Sequence, residues 1–253
     1  MRTTSETGQA VAFTVDVESD WASSGTRGIR EALPRLVDLL DRHDATATFF
    51  VVAEHVDLVR AALPPDGRHE VGSHSLSHPL LTRLPLEGLR REVVESKRRL
   101  EDAGYVVAGF RAPFFARPPG LGALLAEAGY RYDASAGSLH PFRRPTPTGA
   151  GRLPEVVTGH LRDGRTPFSL TWLRLAHPFG PRLVGADPGS FYCHLHELLD
   201  DTPGWDRLPP GLRRLHRRAC GRPAWALLDR LLGRADLHFT SCRDLLDAVP
   251  EAA

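Results

Sequence analysis

Lysine is almost missing from this chain of 253 residues: Lys97 is the only one, so nearly every basic side chain is an arginine. That skew reads as a coding bias and carries no chemistry. Cysteine is also scarce, at three: Cys193, Cys220 and Cys242. An odd number at wide spacing argues against a disulfide framework and fits a reducing compartment. The lack of close Cys or Cys/His pairs argues against a structural zinc site. Cys193, inside a strand-like run, reads as a small core residue. No run approaches the roughly 18 apolar residues of a membrane span. The start, MRTTSETGQA, has no apolar stretch of signal-peptide length, so a cytoplasmic location is expected. A net charge of +1 gives no long-range steering, and neither nucleic acid nor a membrane is expected as a partner.

What is present is an ordinary globular composition, 42% hydrophobic and 25% charged. The length suits one α/β barrel or two small domains. Residues 10–16 (AVAFTVD) form a short buried strand ending in Asp16. Residues 28–43 place Ile29, Leu33, Leu36, Val37 and Leu40 at helical spacing. Further strands are expected at 46–52, 70–73, 105–110, 130–133, 190–194 and 237–240. Helices are expected at 86–104, 119–128, 223–232 and 241–249. Gly104 suits a C-terminal cap, and Ser241 with Asp244 has the form of a capping box. The stretch 137–189 reads as less regular, with a Pro/Gly/Arg loop at HPFRRPTPTGAGR. Alternating strands and helices predict parallel strands joined by crossovers, with working residues at the C-terminal strand ends. Asp16, His74, Arg111 and Asp133 all fall at such ends.

Four distant segments carry the chemistry of a metal-dependent amide hydrolase: Asp16-Val17-Glu18, His74-Ser75-Leu76-Ser77-His78, Arg111-Ala112-Pro113-Phe114 and His194-Leu195-His196-Glu197. His74 and His78, four apart, share a face on a helical turn. Two imidazoles and the Glu18 carboxylate make a ligand set for one divalent metal, with zinc the first candidate and cobalt or nickel also suited. Asp16, two residues before Glu18 on an extended chain, lies on the same side and is free to act as a base. An amine leaves poorly without a proton, and His194 is the candidate acid, with His196 as its rival. Taken singly, the Asp-x-Glu segment also fits a strand end with two solvated acids, and Asp133 a turn former. Phe114, Phe115 and Trp21 fit either a sugar-stacking cleft or simple core. Arginines 213, 214, 217 and 218 fit either a phosphate contact or a solvated helix face.

Together these residues resemble the polysaccharide deacetylase family of sugar N-deacetylases. His74-Ser75-Leu76-Ser77-His78 is similar to that family's second motif, and Arg111-Ala112-Pro113-Phe114 matches its third, Arg-x-Pro-Phe/Tyr. Tyr132-Asp133-Ala134-Ser135 corresponds to the fourth, and Phe191-Tyr192-Cys193-His194-Leu195-His196-Glu197 resembles the Phe-Tyr-x-His-x-x-Glu form of one branch. Asp-x-Glu departs from the two adjacent acids of the commonest first motif and resembles a divergent branch. The resemblance implies a single catalytic domain over 1–253, core about 10–246, built as a distorted (β/α) barrel of about seven parallel strands. It implies that Arg111 orients Asp16, that the Phe114 backbone N–H donates to an oxyanion, and that Asp133 tunes the general acid. The expected substrate is an N-acetylated sugar or glycoconjugate. Rival readings are hydrolysis of a non-sugar amide or ureide and a metal-free carbohydrate-binding relative.

Overall fold

A computed structural model describes residues 8–139, 153–185 and 189–248. Eight strands alternate with helices: β1 Gln9–Val17, β2 Thr48–Val51, β3 Glu70–Ser73, β4 Gly109–Phe110, β5 Tyr132–Ala136, β6 Glu155–Val157, β7 Ser190–His194 and β8 Leu237–Thr240. The helices are α1 Leu33–Arg42, α2 Val56–Val59, α3 Leu86–Asp102, α4 Leu121–Glu127, α5 Leu170–Leu175, α6 Pro210–His216, α7 Arg222–Leu232 and α8 Cys242–Asp247. Seven strands lie parallel in the order β6-β5-β4-β3-β2-β1-β7. A parallel bridge between Thr158 and Ser190 draws the two ends of that order together, so the sheet curls into a nearly closed, distorted barrel. The eighth strand, β8, pairs with the first half of β1, from Gln9 to Ala12.

The strands are covered by helices, so their residues are buried on both sides and read as unbroken apolar runs. Val11, Phe13, Val15 and Val17 of β1 are wholly buried, as are Phe49, Phe50 and Val51 of β2. The outer helices turn one stripe inward: Leu33, Leu36, Leu39 and Leu40 on α1, and Leu89, Val93 and Leu100 on α3. Gly104 ends α3 at φ 97°, with its N–H on the Glu101 carbonyl at 2.8 Å. Ser241 Oγ accepts the Asp244 N–H at 3.1 Å and starts α8.

Several boundaries differ from the sequence reading. The first part of the 28–43 helix is a π-turn, Gly28–Ala32, before α1 begins. The strand expected over 105–110 pairs only at Gly109–Phe110; Tyr105 instead caps the end of α3 and donates its hydroxyl to the Leu63 carbonyl at 2.6 Å. The fifth strand begins at Tyr132, because Tyr130 is taken up by a hydroxyl contact to the Val93 carbonyl at 3.0 Å. Asp133 therefore sits near the start of β5, and not at its C-terminal end. Within 137–189, β6 and α5 were not legible; the HPFRRPTPTGAGR loop lies outside the described residues. The three cysteines are buried and free. No helix among the described residues is long and apolar enough to cross a membrane.

Candidate active site

Register delivers the site. Parallel pairing of β1 with β7 sets Asp16 directly beside His194. Pairing of Ser73 with Phe110 brings their successors, His74 and Arg111, out at the same edge. Four strand ends thus converge on one cavity of about 440 Å³.

One wall of this cavity carries Glu18, His74 and His78, whose ligand atoms all lie within 4.8 Å of one another. Glu18 Oε2 is 2.5 Å from His78 Nε2 and 3.6 Å from His74 Nε2. The two histidines do not ride a helical turn. They flank a tight loop in which Ser75 (φ 67°) and His78 (φ 64°) are left-handed. Ser75 Oγ accepts the His78 N–H at 3.0 Å. Glu92, buried on α3, holds the same loop by accepting the Leu76 and Ser77 N–H groups at 2.9 and 3.0 Å and the Ser77 hydroxyl at 2.7 Å. His74 Nδ1 lies 2.8 Å from the Arg111 carbonyl, which can only accept. A proton is thereby fixed on Nδ1, and Nε2 is turned toward Glu18. That second contact is what ligating histidines ordinarily have. Two imidazole nitrogens and a carboxylate, with one tautomer preset, fit a divalent metal of the zinc type.

Beside this group, Arg111 is wholly buried and Asp16 nearly so. Arg111 Nη1 donates to Asp16 Oδ1 at 2.8 Å and to Thr14 Oγ1 at 2.9 Å, while Nε donates to the Ala134 carbonyl at 3.2 Å. Its guanidinium stacks 4.3 Å over Phe50. Burial pushes the Asp16 pKa up, but Arg111, His74 and His194 together outweigh it, and Asp16 ends below its ordinary value. Burial likewise opposes ionisation of Glu18, and the hydrogen bonds from His74 and His78 reverse that and hold it well below the usual carboxylate range.

On the far side of Asp16, His194 Nε2 stands 3.7 Å from Asp16 Oδ2. Burial disfavours its cation, yet the contact to Glu197 and the charges of Glu18 and Asp16 push its pKa up to about 9. His196, a ring away at 5.2 Å, is driven the other way, to about 4, by burial and by the His194 charge. His194 is therefore the protonated imidazole at neutral pH, and His196 the neutral one. Glu197 Oε2 accepts the His194 N–H at 3.0 Å and lies 3.6 Å from Nδ1.

Asp133 does not occupy that place. Its carboxylate accepts the Ser135 N–H at 2.8 Å and the Ser135 hydroxyl at 2.5 Å, and Ser135 Oγ in turn accepts the Ala112 N–H at 2.8 Å. Asp133 thus braces the backbone next to Arg111, while the acid against His194 is Glu197. Two residues of this region escaped sequence reasoning. Arg174, on α5 and 2% exposed, donates from Nε to Glu197 Oε1 at 3.0 Å and from Nη1 to the carbonyls of His216 and Arg218 at 3.2 and 2.6 Å. Glu92 is the other. Neither lies in a recognisable motif; each is one charge among many on an amphipathic helix, and only packing reveals its partners.

Phe114 and Phe115 both adopt positive φ, 59° and 54°, just after Pro113. Two successive left-handed non-glycine residues cost about 1–2 kcal/mol each, and such conformations gather at functional sites. The Phe114 N–H has no backbone acceptor among the described residues, and its half-exposed ring meets His78 edge-on at 4.9 Å. Of the four arginines, Arg213 pairs with Asp206, Arg217 with Asp201, and Arg218 donates to the Leu175 and His177 carbonyls. Three of the four are held by the fold.

A curled parallel α/β sheet thus carries acid, base and a two-histidine, one-carboxylate cluster at its C-terminal edge. The chain belongs to the polysaccharide deacetylase family, whose model matches residues 4–132. It is 34% identical over 86 residues to the peptidoglycan-N-acetylglucosamine deacetylase of Listeria monocytogenes, covering 32% of this chain and 18% of that protein. It is 32% identical over 87 residues to the chitooligosaccharide deacetylase of Rhizobium leguminosarum, 32% and 38% of the two chains. These matches span less than half of each relative's length. In fold it is similar to a polysaccharide deacetylase structure from Mycobacterium smegmatis, with TM-score 0.60, 19% identity and coverage of 98% and 92%. It is also similar to a CE4 family pseudoenzyme from Bacillus anthracis, with TM-score 0.57, 18% identity and coverage of 95% and 66%.

Proposed function

We propose that this protein hydrolyses an N-acetyl group on an amino sugar or sugar conjugate. The observation that carries the reading is the meeting, in one cavity, of the Glu18–His74–His78 cluster, Asp16 backed by Arg111, and His194 backed by Glu197. Peptidoglycan and chitooligosaccharide deacetylases among the relatives support the class of bond.

Glu18, His74 and His78 would hold one divalent ion, zinc in the first instance, which when bound polarises the amide carbonyl and acidifies water at the site. Asp16, ionised and fixed by Arg111, accepts the proton of the attacking water. The Phe114 N–H faces the developing oxyanion as a donor that needs no reorganisation. His194, kept cationic by Glu197, gives its proton to the leaving amine nitrogen, without which C–N cleavage stalls. One carboxylate below its usual pKa and one imidazole above its own, side by side, is the division of base and acid that such a reaction needs.

Free acetate measured over a panel of N-acetylated amino sugars, with zinc, cobalt or nickel added, tests the reading. Acetate release from at least one sugar supports it. Release of ammonia or urea from a ureide, with no acetate from any sugar, would favour the non-sugar hydrolase instead.

A further inference from the structure

The lining of the cavity joins a polar floor of Asp16, Glu18, His74, His78 and His194 to the apolar side chains of Trp172, Leu175, Leu212 and Leu215. The segment that brings the last two, residues 203–218, is tied across the loop after β1. Gly204 packs so closely that a Cβ there would stand 1.8 Å from the Trp21 carbonyl oxygen, and Arg207 Nη1 donates to the Ala22 carbonyl at 3.3 Å. Arg174 holds its far end through the His216 and Arg218 carbonyls. Yet α6 has no buried residue: Leu212 and Leu215 remain 49% and 46% exposed beside the catalytic wall. A sugar ring can lie against the half-exposed Phe114 beside His78, whereas leucine offers no flat face and the Trp21 ring is already stacked on His216 at 4.8 Å and 33°. A fixed apolar wall continuous with a polar floor, in a space of small-molecule size, asks for an amphipathic occupant.

We propose that the substrate is a single N-acetylated amino sugar bearing an apolar aglycone, with the acetamido group at the polar floor and the aglycone against Leu212 and Leu215. The proposal rests on the deacetylase reading for its chemistry and on the α6 wall for its specificity.

The test uses the full chain loaded with zinc and compares three probes: free N-acetylglucosamine, its octyl glycoside, and the fully N-acetylated chitotetraose. Acetate release is followed, and binding of each probe is measured in parallel by calorimetry. The octyl glycoside should exceed both others in kcat/KM by at least about tenfold, chiefly through KM, as burial of an alkyl chain against two half-exposed leucines requires. The double variant Leu212→Ser/Leu215→Ser should lower the octyl-to-free ratio by about tenfold; these side chains are not core, so circular dichroism should show an unchanged fold. Equal handling of the three probes, preference for the tetraose, or a ratio untouched by the double variant overturns the proposal. If no probe releases acetate but the octyl glycoside still binds tighter than the free sugar, and does so only in wild type, the apolar subsite stands and the hydrolysis reading falls. If that binding preference is also missing, both fall.

Discussion

Replacing Glu197 by glutamine should loosen the hold of His194 on its proton. The surroundings of His194 raise its pKa from an ordinary 6.5 to about 9. Burial works against the cation, and Glu197 leads the groups that overcome it, followed by the charges of Glu18 and Asp16. Because the folded pKa is the higher one, the stabilisation is complete below pH 6.5 and is lost as pH rises through 9. The shift corresponds to about 3 kcal/mol of preference for the charged form. Removing one close carboxylate from a buried imidazole should lower the pKa by about 1–3 units. Histidine resonances of the metal-free protein, assigned through His194→Gln, would give the titration directly. The alkaline limb of the kcat/KM profile should move to lower pH in Glu197→Gln. The variant should also unfold more easily, by about 3–5 kcal/mol, since Arg174 is left buried without its anion; measurements therefore belong at low temperature. A His194 midpoint unchanged in the variant would refute the argument that Glu197 holds this proton.

Asp16→Asn should keep metal binding and lose turnover by about 10²- to 10⁴-fold, the ordinary worth of a general base; metal analysis and acetate release on one sample check it, and near-normal turnover would remove Asp16 from the reaction. Arg111→Met leaves a buried Asp16 carboxylate without its cation, and chemical denaturation should show a loss of about 3–5 kcal/mol. The Asp16 pKa should rise in the same variant. Glu92→Ala frees the N–H groups of Leu76 and Ser77, so zinc affinity should drop by about 10- to 100-fold while turnover at saturating zinc survives; an unaltered zinc isotherm would show that the loop holds its shape unaided.

The barrel was readable because parallel strands buried on both faces leave continuous apolar runs, as in AVAFTVD and TATFFVV, and because the helices between them keep a clear stripe. The convergence of Asp16, Glu18, His74, His78, Arg111 and His194 was readable from their positions at or just past strand ends. What failed was local geometry. His74 and His78 have helical spacing but meet across a loop shaped by two left-handed residues and by Glu92, which is sixteen positions away from Leu76 in sequence. Asp133 has the right residue type, but it sits near the start of β5 and its carboxylate accepts from Ser135. Arg174 forms a buried ion pair with Glu197 that no periodicity announces, since Arg174 occupies an ordinary position on α5. The helix α6 opens on Pro210, a residue at home in a helix's first turn, and nothing in its sequence shows that Leu212 and Leu215 line the cavity.

The account depends most on a single ion held jointly by Glu18, His74 and His78. Calorimetric titration of zinc into wild type and His78→Ala measures this directly. One strong site per chain in the wild type, abolished or greatly weakened in the variant, is the predicted result. Equal stoichiometry and affinity in both proteins would contradict it.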